Sequence, residues 1–169
     1  MDIKKILRAS LFAIGIGILL VIISVILQIL SFLLTDYSIA DRIAFVTTVY
    51  AYLMFPFFLL LYFWTGMRSV NKYKLDAVGA GVVAAFSYIV TGLMHIVFNS
   101  VMNLLVVGGV FHVTVFRSTE SVVVAAILGN LVGGVGVLAS SICGLGLLVF
   151  GMMINFVVGA VGGLFAQRE

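Results

Sequence analysis

Five residues able to do chemistry recur at steps of four: Ser87, Thr91, His95, Asn99 and Asn103. On a helix this spacing follows a single ridge, so hydroxyl, imidazole and amide groups line up along one face. Histidine and asparagine are expensive in hydrocarbon, so such a ridge should face protein or water rather than lipid. Hydrogen-bonded packing against a neighbouring helix is the expected role. The alternative is a hydrated path for an ion or a neutral polar solute, in a small channel or transporter.

Sharper chemistry lacks parts. His95 has no carboxylate or cysteine at ligand spacing on its own helix, so no metal is expected there. A surface metal site could be imagined from His112, Asp36, Asp41 and Glu120, but nothing in their spacing requires one. A hydrolytic triad needs an acid to orient the histidine, and the apolar stretches contain none. The glycines lie in apolar surroundings without an adjacent lysine, unlike a phosphate-binding loop. No cofactor and no enzymatic activity are expected. Cys143 is the single cysteine, which excludes an intrachain disulfide.

Other polar and small residues read as packing devices. Ser10, Ile14, Gly17, Val21, Ser24, Gln28, Ser31 and Thr35 form one stripe that should face protein. Near the C-terminus, Gly151, Asn155, Gly159 and Gly163 form a second stripe, and Ala126, Asn130 and Gly134 a third, with Gly129 and Gly133 adjacent. Small residues at this spacing let helix backbones approach closely, and an asparagine on the same face can hydrogen-bond across the contact. A turn near residues 142–143 would bring Asn130 and Asn155 to the same depth, where they should pair or jointly face a partner.

The elements that must position these residues follow from the charge map. Of 169 residues, 64% are hydrophobic and 9% charged, against about 25% charged in ordinary globular proteins. Four charge-free windows run 9–35, 43–67, 77–116 and 121–167. A helix crosses a bilayer core of about 30 Å in about 20 residues, so each window can span a membrane. The net charge of +3 comes from basic clusters beside these windows, Lys4, Lys5, Arg8 and Arg68, Lys72, Lys74. That is the positive-inside pattern rather than a nucleic-acid surface. The first window is too long for the apolar core of a cleaved signal peptide, so an uncleaved signal-anchor is expected.

The last two windows exceed one crossing and should break. The sequence predicts helices at about 9–34, 40–66, 77–98, 121–140 and 143–166, with a re-entrant or interfacial segment at 99–117. Ser38 and Asp41 resemble a capping box, Pro56 should kink the second helix, and Tyr62, Trp64 and Tyr73 suit an aromatic belt at the membrane surface. The expectation is one all-α transmembrane domain of about five helices, with four or six as alternatives, ending in a glycine-rich hairpin. The N-terminus and the 67–76 loop would be cytoplasmic, the C-terminus outside, and the setting the plasma membrane. The function expected is non-enzymatic: a helix-packing or assembly protein whose partners are the lipid bilayer and either further copies of itself or other membrane subunits.

Overall fold

The computed structural model describes residues 2–33, 37–102, 104 and 122–168, and the regular structure among them is helical. The helices are α1 (Ile3–Leu33), α2 (Tyr37–Tyr73), α3 (Ala77–Met102) and α4 (Val122–Ala166). Each holds a stretch long and apolar enough to cross a membrane: Ile3–Leu30, Phe45–Tyr73, Ala77–Met102 and Leu131–Ala166. Among the described residues there are thus four such helices where the sequence predicts five.

Capping explains why several ends differ from expectation. α1 starts at Ile3 rather than near residue 9, because Asp2 Oδ1 accepts the Lys4 N–H at 3.1 Å. The Asp2 carbonyl takes the Lys5 and Ile6 N–H groups as well. A capped end lets Lys4, Lys5 and Arg8, all good helix formers, continue the helix outward. α2 runs on to Tyr73, so the predicted 67–76 loop contracts to Lys74–Asp76. Lys72 in its last turn complements the helix dipole. Lys74, at φ 55°, then turns the chain so that its own N–H and that of Leu75 return to the carbonyls of Val70 and Ser69. Asp76 opens α3 by accepting the Gly79 N–H on Oδ1 at 2.9 Å.

α3 continues to Met102, so 99–102 is helix where re-entrant backbone is predicted. The rest of that segment, apart from Leu104, lies outside the described residues, as do the side chains of the Ser38–Asp41 box. The larger correction is α4. Its backbone is continuous helix over 45 residues, without the turn predicted at 140–144. Ser140, Ser141 and the glycines are weak breakers, and the segment holds neither proline nor charge. Opening a turn in an apolar setting strands backbone N–H and C=O groups at several kcal/mol each, more than glycine's roughly 1 kcal/mol helix penalty. The pairing of Asn130 with Asn155 required that turn and falls with it.

The chain forms two compact units, Met1–Leu93 with Leu148–Glu169, and Met94–Leu147. In the first, Ala13, Tyr62 and Ala84 make a buried cluster covered by Phe58, Tyr88 and Val158. A neighbouring cluster of Ile6, Ala9 and Val83 is covered by Tyr73, Leu75 and Val82. The Tyr73 hydroxyl donates to the Arg8 carbonyl at 3.2 Å, and Gly163 packs against Ala77, Ala80 and Val70. These contacts gather the start of α1, the end of α2, the start of α3 and the end of α4 at one end of this unit. The C-terminal end of α4 therefore lies at the same end of this unit as the start of α1. In the second unit, α3 and α4 meet through Ser100 and Ser141, whose hydroxyls lie 3.1 Å apart, and through Gly144 under Ile96.

Candidate functional site

The polar groups of the first unit converge because each helix turns one ridge inward. On α2 that ridge is Tyr62, Thr65, Gly66 and Ser69, the i, i+3, i+4, i+7 positions of one face. On α3 it is Ala80, Val83, Ala84, Ser87 and Thr91. Tyr62 is 0% exposed, which overturns its expected place in a surface belt. Trp64, on the other face of α2, is exposed, and Tyr73 is half-buried. Tyr62 packs against the small Ala13 and Ala84, which leave it room to lie inward, and its hydroxyl reaches Thr91 Oγ1 at 3.0 Å.

Each hydroxyl in this core has a partner. Ser10 donates to the Leu7 carbonyl, Thr65 to Leu61, Ser69 to Thr65, and Ser87 to Val83, at 2.7–2.9 Å. Thr91 donates to the Ser87 carbonyl at 3.0 Å, shared with that of Tyr88 at 3.1 Å. Its proton is thereby committed, so the Tyr62 O–H is the donor in the Tyr62–Thr91 bond. Back-bonding of this kind satisfies a buried hydroxyl without water and without a second helix. Of these bonds, Tyr62 to Thr91 is the one that joins two helices, and the buried polar side chains among the described residues include no carboxylate or imidazole.

Glycines set the separation. A Cβ on Gly17 would strike the Thr91 side chain, one on Gly151 the Tyr88 ring, and one on Gly66 the backbone of Gly159. Gly81 lies under Phe156, and Gly162 against the Phe63 carbonyl. Gly159 and Gly163 are buried against Ala84 and Ala80. Asn155 is buried too: its Nδ2 donates to the Gly151 carbonyl at 2.7 Å, and its Oδ1 has no partner among the described residues.

The stripe that opens the sequence reading divides. Ser87 and Thr91 belong to the buried core of the first unit, whereas His95 and Asn99 belong to the second, His95 exposed and Asn99 half-buried. Asn103 lies outside the described residues, as do the side chain of Asn130 and the surroundings of Gly129. Gly133 is buried. Gln28 is half-buried and donates to Ser24 Oγ at 3.4 Å, one turn back on α1.

Sequence reasoning missed Gly66, Gly81 and Gly162, although the spacing of Tyr62, Thr65, Gly66 and Ser69 carried the signal for an inward α2 face. It also missed the contact of Arg68 with Phe12 and Trp64. Among the described residues no three histidine, cysteine or acidic side chains gather as a metal site would require. An almost wholly apolar groove of about 460 Å³ runs between Val82, Phe86 and Ile89 of α3 and Met152 and Phe156 of α4. It lacks the polar groups that orient a substrate. No protein-family model, curated protein or solved structure matches the chain.

Proposed function

We propose that this chain is a non-enzymatic integral membrane protein that works as an assembly unit, either as a homo-oligomer or as a subunit of a larger membrane complex. The observation that carries this reading is α4. Its 45 residues carry no charge, more than twice the roughly 20 that a helix needs to cross a hydrocarbon core of about 30 Å. Lipid tails can cover only part of that apolar length. In the second unit, Leu131, Val135, Leu138, Ile142 and Leu145 leave 51–70% of their surface open, at alternating steps of four and three. That is the seam spacing at which helices interlock side chains with a partner helix.

The buried, back-bonded hydroxyls of the first unit support a packing role rather than a solute path. Seven of the nine basic residues, Lys4, Lys5, Arg8, Arg68, Lys72, Lys74 and Arg168, fall at the end where α1 starts and α4 finishes. By the positive-inside rule this end is cytoplasmic, which puts the start of α1 and the end of α4 on the inner face of a plasma membrane and makes the number of crossings between them even.

Extraction into polymer discs with native lipid, followed by mass measurement of the particle, tests the proposal. A mass that is a multiple of the 18.2 kDa chain, or that includes other chains, is expected. A lone monomer whose liposomes pass a solute in a His95-dependent manner would replace assembly with the path reading.

A further inference from the structure

We propose that the groove where α1 meets the last turns of α2 binds the phosphate of an anionic lipid headgroup, centred on Arg68 and flanked by Arg8 and Lys72. This inference rests on insertion of the helices in a bilayer and not on the assembly role.

Phe12 of α1 and Trp64 of α2 meet edge to face, centroids 5.0 Å apart, and both stay open on their outer side, at 39% and 44% exposure. Arg68, one turn beyond Trp64, lays its guanidinium 4.4 Å from the Phe12 centroid and 5.5 Å from that of Trp64. Contact with ring faces engages the guanidinium charge without using a hydrogen-bond acceptor, so it does not consume the N–H donors. Those donors meet no carboxylate or carbonyl among the described residues. The fork is held in place with its hydrogen bonds unmade, which is the condition for gripping a phosphate in two-pronged fashion.

Two further cations continue the same ridges. Arg8 lies one turn before Phe12 on α1, and its carbonyl, tied to the Tyr73 hydroxyl, pins that turn against the end of α2. Lys72 lies one turn beyond Arg68, with its ammonium 5.9 Å from the Tyr73 ring centre. The described acids at this end are committed elsewhere: Asp2 caps α1 and Asp76 caps α3. Among the described residues no carboxylate pairs with Arg8, Arg68 or Lys72, and the three cations give the groove a positive excess. Its open aromatic rim is what distinguishes a lipid from a dissolved anion, because indole rings settle at headgroup level beside acyl chains.

Trp64 is the single tryptophan of the chain, so it reports on this groove alone. The full chain is reconstituted in phosphatidylcholine bilayers containing phosphatidylglycerol, with brominated acyl chains carried on one lipid or the other, and quenching of Trp64 gives the lipid selectivity. A preference for phosphatidylglycerol of about fivefold or more is expected, the factor one basic residue contributes at an anionic surface. It should fall to about one in Arg68→Gln, and by at least about half in the exposed pair Arg8→Gln with Lys72→Gln, which leaves Arg68 seated on its rings. Arg42→Gln, near the start of α2, should leave it unchanged. A wild-type preference of one overturns the proposal, as does equal loss in Arg42→Gln, which would mark diffuse charge. Loss of the preference on adding inorganic phosphate at fixed ionic strength also overturns it, because the occupant would then be a dissolved anion.

Discussion

Replacing Gly66 by alanine should destabilise the protein, while the same replacement at Gly15 should leave it as stable or more so. At Gly66 the new Cβ would meet the backbone of Gly159, with the carbonyl carbon at 2.9 Å and the Cα at 3.0 Å. Ordinary contact begins near 3.4 Å, and neither atom belongs to a side chain that can swing away. Relief requires α2 and α4 to part by roughly 0.5–1 Å, which forfeits a quarter to a half of the dispersion well across their contact. For a few tens of atom pairs at about 0.1–0.2 kcal/mol each, the loss is about 1–2 kcal/mol, within the range for overpacked cores. Gly15 has nothing within 4 Å of its would-be Cβ, so alanine there contributes only its helix propensity, up to about 1 kcal/mol in the stabilising direction. Unfolding titrations in mixed micelles, followed by far-UV circular dichroism, measure both variants against wild type. If Gly66→Ala unfolds at the same denaturant fraction as Gly15→Ala, close backbone approach of α2 to α4 does not hold this unit together.

Two further substitutions examine the polar contacts. Asp76→Ala removes the cap on α3 and should cost about 1 kcal/mol, with faster amide exchange confined to Val78, Gly79 and Ala80; uniform change along α3 would contradict the assignment. Tyr62→Phe removes the bond to Thr91 but leaves Thr91 bonded to its own helix, so the loss should be about 1 kcal/mol. Thr91→Val after Tyr62→Phe should then cost less than Thr91→Val alone, and a double-mutant cycle in the same titration reads the difference.

The charge map by itself determined the class of this protein. Long runs without an ionised group can only be apolar helices or buried strands, and runs beyond about 20 residues select helices. The start of α3 at Ala77 was legible because an acid stands directly before an apolar run. Of the stripe expected on α1, Ser10, Gly17 and Val21 are buried, and small or polar side chains at helical spacing are the local signal for such a face. Tertiary structure decided what such patterns leave degenerate. Glycine and serine are weak breakers in an apolar segment, so composition near residues 140–144 is compatible with either a turn or a continuous helix, and the balance depends on what satisfies the backbone. Tyr62 has an apolar body and a polar tip that suit a membrane surface and a helix core equally; the small Ala13 and Ala84 around it and Thr91 opposite settle the choice. The Ser87 to Asn103 spacing defines a ridge on one helix, but which turns of that ridge are buried depends on neighbours far away in the chain. The contact of Arg68 with Phe12 joins residues 56 positions apart in sequence, and no local pattern encodes a distance that two separate helices must close together.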